Sequence, residues 1–184
     1  MSSRPLSPEH YTAEEVVRLL NLAPLDMEGG FFRRVGESEL VLPGSALPSI
    51  YAGARRAYST IYALFTPDGF SALHRLRSDE IWCFHAGDPL ESLRLHPDGE
   101  GQWVHLGLDL AAGDLPQDMV EAHTWQGTRL ATGGRWALVS CVVAPEFAWD
   151  DFELGAREAL EAAFPAWAEG IRALTRTQPP KGRR

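Results

Sequence analysis

The chain consists mainly of short apolar segments separated by turn signals, and helical periodicity is confined to its two ends. Turn signals such as Pro67-Asp68-Gly69 and Thr132-Gly133-Gly134 interrupt the apolar pattern repeatedly. Between the turns, β-branched and aromatic residues favour strands over 31–35, 58–65, 80–85, 90–96, 102–106, 116–122 and 136–144. Because few helical patterns lie between these strands, the sequence predicts an antiparallel sandwich or barrel.

Helices are predicted only before and after the strands. Thr12 and Glu15 have the spacing of a capping box, and the apolar residues that follow form one stripe of a helix that ends before Pro24. Residues 156–163 contain good helix formers, and Pro165 is suited to the first turn of another helix. The fold class is therefore mainly β with short N- and C-terminal helices.

Composition and charge narrow the class of protein. The 184 residues include 17 Lys and Arg against 25 Asp and Glu, a net charge of −8, and 45% are hydrophobic. The acidic balance argues against nucleic acid as a partner, and no apolar run approaches the roughly 20 residues of a membrane span. The N-terminus lacks the apolar core of a signal peptide, so we expect a cytoplasmic protein whose cysteines, Cys83 and Cys141, are buried thiols.

The predicted domain organisation is simple. We expect a loose N-terminus over residues 1–10, one domain over 11–176 and a disordered basic tail over 177–184.

The window from residue 69 to 87 contains the most informative chemistry. His74 and Glu80 lie on consecutive strands joined by a tight polar turn, so they converge if both face the same side of the sheet. With a period of two, Glu80, Trp82 and Phe84 share one strand face. A carboxylate followed by two aromatic rings is typical of a pocket with one polar group.

This window resembles the first motif of the cupin superfamily. His74, Glu80 and Gly87 match the family pattern, whereas Leu76 stands where a second His is usual. The second cupin motif corresponds to residues 121–126, in which Gln126 replaces the last metal-binding His and His123 replaces a Gly.

Further motifs resemble one cupin branch, the family known as domain of unknown function 985. They cover residues 28–33, 57–65, 79–82 with 84–90, 124–126, and 143–145 with 151–154, and the whole resemblance extends over about 14–155. It implies a double-stranded β-helix, or jelly-roll barrel, that is commonly assembled as a homodimer. It implies no particular activity, because barrels of this type carry many chemistries.

The resemblance implies one candidate metal set, consisting of His74, Glu80 and Gln126. Imidazole and carboxylate together suit a weakly bound divalent metal such as Zn, Mn, Fe or Ni. The alternative is that His74 and Glu80 bond to each other or to ordered water inside the barrel.

A metal-free reaction is the second possibility for this pair. His74 suits the role of general base, with Glu80 fixing its tautomer. Some cupin-fold sugar epimerases combine a His base with a Tyr acid, and Tyr62 or Tyr58 is available for that role here. The alternative for both tyrosines is packing in the core or at an interface.

Other residues are candidates for binding a ligand. Arg33 and Arg56 suit an anionic small molecule if they point into the barrel; otherwise they belong to a solvated face or an ion pair. We expect the remaining pocket contacts from Trp82, Phe84, Trp125 and His123.

Two functions follow from these candidates. The first is an enzyme of epimerase or isomerase type, or a metal-assisted enzyme, acting on a small polar or anionic molecule in the barrel. The second is a non-catalytic homodimeric module that binds a small ligand and has a degenerate metal site.

Overall fold

Two antiparallel sheets face each other, and residues 4–176 are described by the computed structural model. From edge to edge, the first sheet contains β1 (Ala23–Pro24), β2 (Phe31–Glu37), β5 (Ser59–Phe65), β12 (Ala137–Ala144), β7 (Asp79–Gly87) and β10 (Gln117–Val120). The second sheet contains β13 (Phe152–Leu154), β6 (Phe70–Leu76), β11 (Trp125–Leu130), β8 (Leu90–Leu95) and β9 (Gly101–Leu106). A small hairpin pairs β3 (Val41–Leu42) with β4 (Arg55–Arg56). The predicted jelly-roll barrel is confirmed.

The N-terminal helix α1 (Ala13–Leu20) covers the outside of the first sheet. Its capping box forms as predicted: the Glu15 backbone N–H donates to the Thr12 hydroxyl, and the Thr12 N–H donates to the Glu15 carboxylate at 2.8 Å. Val16 packs with Trp136, whose indole N–H donates to the Tyr11 carbonyl at 2.8 Å. These contacts anchor the helix to β12.

The C-terminal helices α2 (Arg157–Ala163) and α3 (Ala168–Ala173) cover the outside of the second sheet. Their apolar residues, Leu160, Ile171 and Leu174, pack on Leu73 and Leu93. All of these side chains are buried, and each contributes roughly 1.5–3 kcal/mol to the free energy of unfolding.

The inner faces of the sheets fill only one end of the barrel. The core there contains large side chains from both sheets, namely Phe65, Trp82, Phe84, Leu90, Leu106, Val120 and Leu130. The alternation predicted for β7 is confirmed, since Glu80, Trp82 and Phe84 are buried while His85 is exposed. The other end of the barrel contains a cavity.

The structure also differs from the sequence-based expectation at the N-terminus and in the number of strands. Residues 4–10 form turns in which the Arg4 guanidinium donates to the His10 carbonyl and Glu9 pairs with Arg135 at 2.8 Å. Residues 1–3 and the predicted tail at 177–184 lie outside the described residues. Strand β11 was not predicted, and β6 was expected only as the strand that carries His74, without bounds. Within residues 4–176, no helix has the length and apolar character needed to cross a membrane.

Candidate active site

An apolar cavity of about 190 Å³ lies between the sheets, beside the ends of β6 and β12 and the starts of β5 and β7. Apolar side chains form most of its wall, namely Leu25, Phe32, Ile61, Leu76, Phe147 and Trp149. Titratable groups interrupt this wall at Glu28, Arg34, His74, Glu80 and Cys141. A mainly apolar cavity with a few convergent polar groups is the usual form of a small-molecule site.

His74 lies on β6, and its ring is fixed on two sides. Its Nδ1 lies 2.8 Å from the Ala72 carbonyl oxygen, and its ring stacks on Phe152 with the centroids 5.1 Å apart. Because a carbonyl only accepts, Nδ1 carries the proton of the neutral imidazole and Nε2 carries the lone pair. Among the described residues, Nε2 has no hydrogen-bond partner, so this basic atom is available to a molecule in the cavity.

A β-bulge in β6 creates this arrangement. Gln126 on β11 pairs with His74, but Thr128 pairs with Ser71, so β6 carries one extra residue at this point. The Ala72 N–H donates to the backbone carbonyl of Glu28 at 2.9 Å, and the Ser71 hydroxyl donates to the Glu28 carboxylate at 2.5 Å. The same bulge therefore positions both His74 and Glu28.

Glu28 reaches the cavity because two glycines follow it. Gly29 and Gly30 have φ values of +120° and +74°. A Cβ atom on Gly29 would lie 2.1 Å from the Phe70 carbonyl oxygen, so only glycine permits this approach of the loop to β6. Glu28 was not among the predicted site residues, although the Gly-Gly pair after it was the available signal.

Glu80 is the buried carboxyl group of the cavity. Its Oε2 accepts a hydrogen bond from the Gln126 amide at 2.6 Å. Burial raises the pKa of Glu80 above its ordinary value, and the charge of Glu28 raises it further, while His74 and the Gln126 bond act in the opposite direction. The raised pKa favours the protonated carboxyl group, which can donate a proton to a bound molecule.

A chain of hydrogen bonds behind Glu80 fixes the Gln126 amide. The Gln126 Oε1 accepts from the Trp82 indole N–H at 3.1 Å and from the Arg94 guanidinium at 3.2 Å. Arg94 is buried, and its other terminal nitrogen pairs with Asp118 at 3.1 Å. Since the amide oxygen faces these donors, the amide N–H is left for Glu80.

The donor set does not fit the metal suggested by the sequence. The Gln126 oxygen already accepts two hydrogen bonds, and Leu76 supplies no ligand where cupins usually have a second His. Within residues 4–176, no group of three or more His, Cys, Asp and Glu side chains is arranged to hold a metal ion. His74, Glu80 and Gln126 are neighbours in a hydrogen-bonded site instead of three free donors around an ion.

The direct bond between His74 and Glu80 considered from the sequence is also not formed. His74 bonds to the Ala72 carbonyl, and Glu80 bonds to Gln126. The backbone of the bulge, not Glu80, therefore selects the His74 tautomer.

Cys141 contributes a neutral thiol to the cavity wall. Burial raises the pKa of Cys141 well above its ordinary value, and the neighbouring Glu80 raises it further. The group is therefore unsuited to act as a thiolate nucleophile.

Tyr62 and Arg33 are the clearest corrections to the predicted site. Both lie on the opposite face of the first sheet, where Tyr62 packs edge-on against His85 and beneath the Arg33 guanidinium. On β2 the alternation places Phe32 and Arg34 at the cavity, one residue out of phase with the prediction. The other tyrosine considered, Tyr58, is 44% exposed and does not line the cavity.

Arg56 is likewise outside the cavity. Its guanidinium pairs with Glu37 at 3.2 Å and donates to the Ser38 carbonyl at 2.8 Å. This is the ion-pair alternative left open by the sequence, formed within the chain.

The remaining predicted ligand contacts are distributed over three places. Trp82 and Phe84 belong to the core at the filled end of the barrel, and the Trp82 indole N–H donates to Gln126 of the site. Trp125 lies on the outer face of the second sheet, where Arg75 covers its ring at 4.6 Å. His123 occupies a turn with φ of +69° and lines a separate surface depression.

Comparison with known proteins identifies the family of this chain. A family-wide profile described as Cupin superfamily (DUF985) matches residues 14–155. A protein from Shewanella oneidensis, known from a crystal structure, is 38% identical in sequence to this chain, with a TM-score of 0.80. The match covers 91% of this chain and 99% of that protein. A hypothetical protein from Leishmania major is 31% identical in sequence, with a TM-score of 0.80, and the match covers 90% of this chain and 99% of that protein.

A more distant likeness shows the fold alone. Oxalate decarboxylase from Bacillus subtilis is 12% identical, with a TM-score of 0.51, and the match covers 88% of this chain but 39% of that enzyme. No curated protein matches the chain. On the family profile and the two similar structures, this chain belongs to the cupin superfamily, in the family of domain of unknown function 985.

Proposed function

We propose that this protein is an isomerase that moves protons on a small molecule bound in the cavity. One observation carries the proposal: His74, with a free Nε2, and the buried Glu80 line the same apolar cavity. A base and an acid of these types are the groups that general acid–base catalysis requires.

The reaction needs no other reactant. His74 Nε2 takes a proton from a carbon next to a carbonyl group, while Glu80 gives its proton to the carbonyl oxygen and an enol forms. Return of the His74 proton to the same carbon gives the exchanged substrate. In a hydroxycarbonyl compound, delivery of this proton to the neighbouring carbon gives the isomer. In both cases Glu80 takes back one hydroxyl proton of the enol. Both residues recover their starting states, so the protons and electrons balance.

The apolar wall supports this chemistry. Exclusion of water strengthens the interactions of the acid and the base with a bound carbonyl compound. A cavity of about 150 Å³ accommodates benzene. At about 190 Å³, this cavity suits a molecule slightly larger than benzene.

A non-catalytic binding module is the second candidate. The chain that runs from Asp118 through Arg94 and Gln126 favours it, because hydrogen bonds of this kind also stabilise a buried carboxyl group that takes no part in a reaction. Binding without turnover would then be the role of the cavity.

Solvent deuterium exchange separates the two candidates. We would incubate the protein in D₂O with a panel of small aldehydes, ketones, hydroxyketones and aminoketones and follow the loss of C–H signals by proton NMR. The proposal predicts exchange that falls by about 100-fold or more in Glu80→Gln. Compounds that bind without exchange contradict the enzyme proposal and support the binding module.

We also propose that the protein assembles as a homodimer. Val35, Leu40, Val41 and Tyr58 expose apolar surface around the β3–β4 hairpin, and a second copy would cover it.

A further inference from the structure

The charges around the cavity are unbalanced. Glu28 and Glu80 both line it, whereas its one arginine, Arg34, is bound by Glu37 at 2.7 Å and is 43% exposed. Arg94 lies behind Gln126 and pairs with Asp118. Among the cavity-lining residues, no arginine is therefore paired with the Glu28 carboxylate.

Glu28 has one carboxylate oxygen available to a ligand. Ser71 donates to Oε1, and among residues 4–176 no side chain donates to Oε2 or forms an ion pair with this carboxylate. Arg176 is nearby, but its guanidinium donates to the backbone carbonyls of Glu28 and Phe70. The position of the Glu28 carboxylate is therefore fixed by Ser71, while half of its hydrogen-bonding capacity is free.

A second, independent acceptor faces the same space. The His74 side chain is only 2% exposed, and its unpartnered Nε2 carries a lone pair in the tautomer selected by Ala72. A ligand that satisfies both Glu28 and His74 must bring hydrogen-bond donors.

The aromatic wall favours a cation as the source of these donors. Phe32, Phe147 and Trp149 line the cavity, and the last two rings meet edge to face with centroids 5.0 Å apart. Aromatic faces attract organic cations, and an ammonium group supplies three N–H donors.

We propose that the cavity selects a small organic amine, bound as its ammonium ion through Glu28. The ammonium group donates to the free oxygen of Glu28, and the apolar body of the molecule contacts Phe32 and Ile61. This inference rests on the proposed function, because it names the substrate class of the same cavity. It also replaces the anionic ligand expected from Arg33 and Arg56, which lie outside the cavity.

Three probes of nearly equal size test the ligand class by calorimetric titration of the wild-type protein. They are benzylammonium, benzyl alcohol and benzoate. We expect benzylammonium to bind about tenfold or more tightly than benzyl alcohol, as for one charge-assisted hydrogen bond, and benzoate to bind weakest. Equal affinities, or tighter binding of benzoate, would overturn the proposal without any variant having to fold.

The Glu28→Gln variant tests whether the preference for benzylammonium over benzyl alcohol depends on Glu28. Glutamine keeps an acceptor for Ser71 while it removes the charge, so benzylammonium affinity falls to that of benzyl alcohol and benzyl alcohol affinity is unchanged. Glu91→Gln, on the outer face of β8, is the matched control and leaves all affinities as in the wild type. Loss of benzyl alcohol binding in Glu28→Gln would mean that Glu28 shapes the cavity and would overturn its role in charge selection.

The deuterium assay distinguishes a failure of this inference from a failure of the proposed function. Selective amine binding without exchange in any panel compound contradicts the enzyme and leaves the ligand class supported. Exchange that depends on Glu80, together with no preference for the ammonium probe, contradicts the ligand class and leaves the enzyme supported.

Discussion

At the scale of single residues, the site depends on two side chains held in unusual environments. Glu80 is buried beside a second carboxylate, and His74 is bonded to a backbone carbonyl that leaves its Nε2 free. Both features cost folding free energy unless a bound molecule uses them, and such costs are common at functional sites.

Glu80→Gln should stabilise the folded protein at neutral pH. Because the pKa of Glu80 is raised on folding, the unfolded chain loses this proton first as pH increases. The free energy of unfolding of the wild type therefore falls as pH rises from the ordinary glutamate pKa of 4.5 to the raised pKa. Across that interval the loss is about 1.4 kcal/mol per pH unit. Urea unfolding at several pH values measures it.

The variant lacks this titration, so its advantage over the wild type should grow through that pH range and then stay constant. Glu91→Gln is the control, since its partly exposed carboxylate is paired with Arg129. A stability difference between the variant and the wild type that does not change with pH would contradict a raised pKa for Glu80.

The absence of three free donors leads to a prediction about metals. Since Gln126 and Leu76 do not supply ligands, adding Zn, Mn, Fe or Ni, or removing metal with a chelator, should leave the Tm of the protein unchanged. Thermal unfolding with and without chelator measures this. A marked rise in Tm with one of these metals would restore the metal set of His74, Glu80 and Gln126.

At the scale of structural elements, the bulge in β6 and the Gly-Gly turn determine the site. The bulge supplies the Ala72 carbonyl to His74 and the Ala72 N–H to Glu28, and the turn allows Glu28 to reach it. Neither contact follows from local sequence pattern, because each depends on which distant strand lies opposite.

Gly29→Ala tests the role of this turn. The added Cβ meets the Phe70 carbonyl oxygen, and φ of +120° is strained for alanine, so we expect a loss of roughly 1–3 kcal/mol in the free energy of unfolding. Urea unfolding measures the loss. Gly53→Ala is the matched control, because its Cβ would meet no atom within 4 Å. Equal stability of the two variants would contradict the account of the turn.

Sequence pattern predicted the strand faces best where alternation was regular. On β7 it correctly placed Glu80, Trp82 and Phe84 on the inner face. On β2 it selected Arg33 where Arg34 lines the cavity, because the pattern FFRR has no polar alternation to set the phase. Tyr62, a candidate acid, lies outside the cavity, and its direction could not be read from the pattern because both faces of β5 are covered by apolar residues.

At the scale of the whole molecule, helices cover the outside of both sheets, but the β3–β4 hairpin remains uncovered. The acidic residues behind the net charge of −8 are not all on the surface, because Glu28 and Glu80 line the cavity. The overall charge did not reveal this arrangement, whereas the fold does.

The exposed hairpin leads to a prediction about assembly. We expect a dimer by light scattering at micromolar concentration, and Leu40→Asp should shift the protein towards monomer because Leu40 is 62% exposed and its replacement leaves the core intact. Leu108→Asp, at another surface site with 60% exposure, is the control. A wild-type monomer at this concentration would contradict the homodimer.

The central claim is that His74 moves protons on a molecule bound in the cavity, and the most direct test compares deuterium exchange in two histidine variants. His74→Asn keeps a donor for the Ala72 carbonyl and removes Nε2, whereas His85→Asn changes a histidine on the outer face of β7. We predict that exchange into a panel compound falls by about 100-fold or more in His74→Asn and stays at the wild-type rate in His85→Asn. Equal exchange by His74→Asn and wild type would contradict the account.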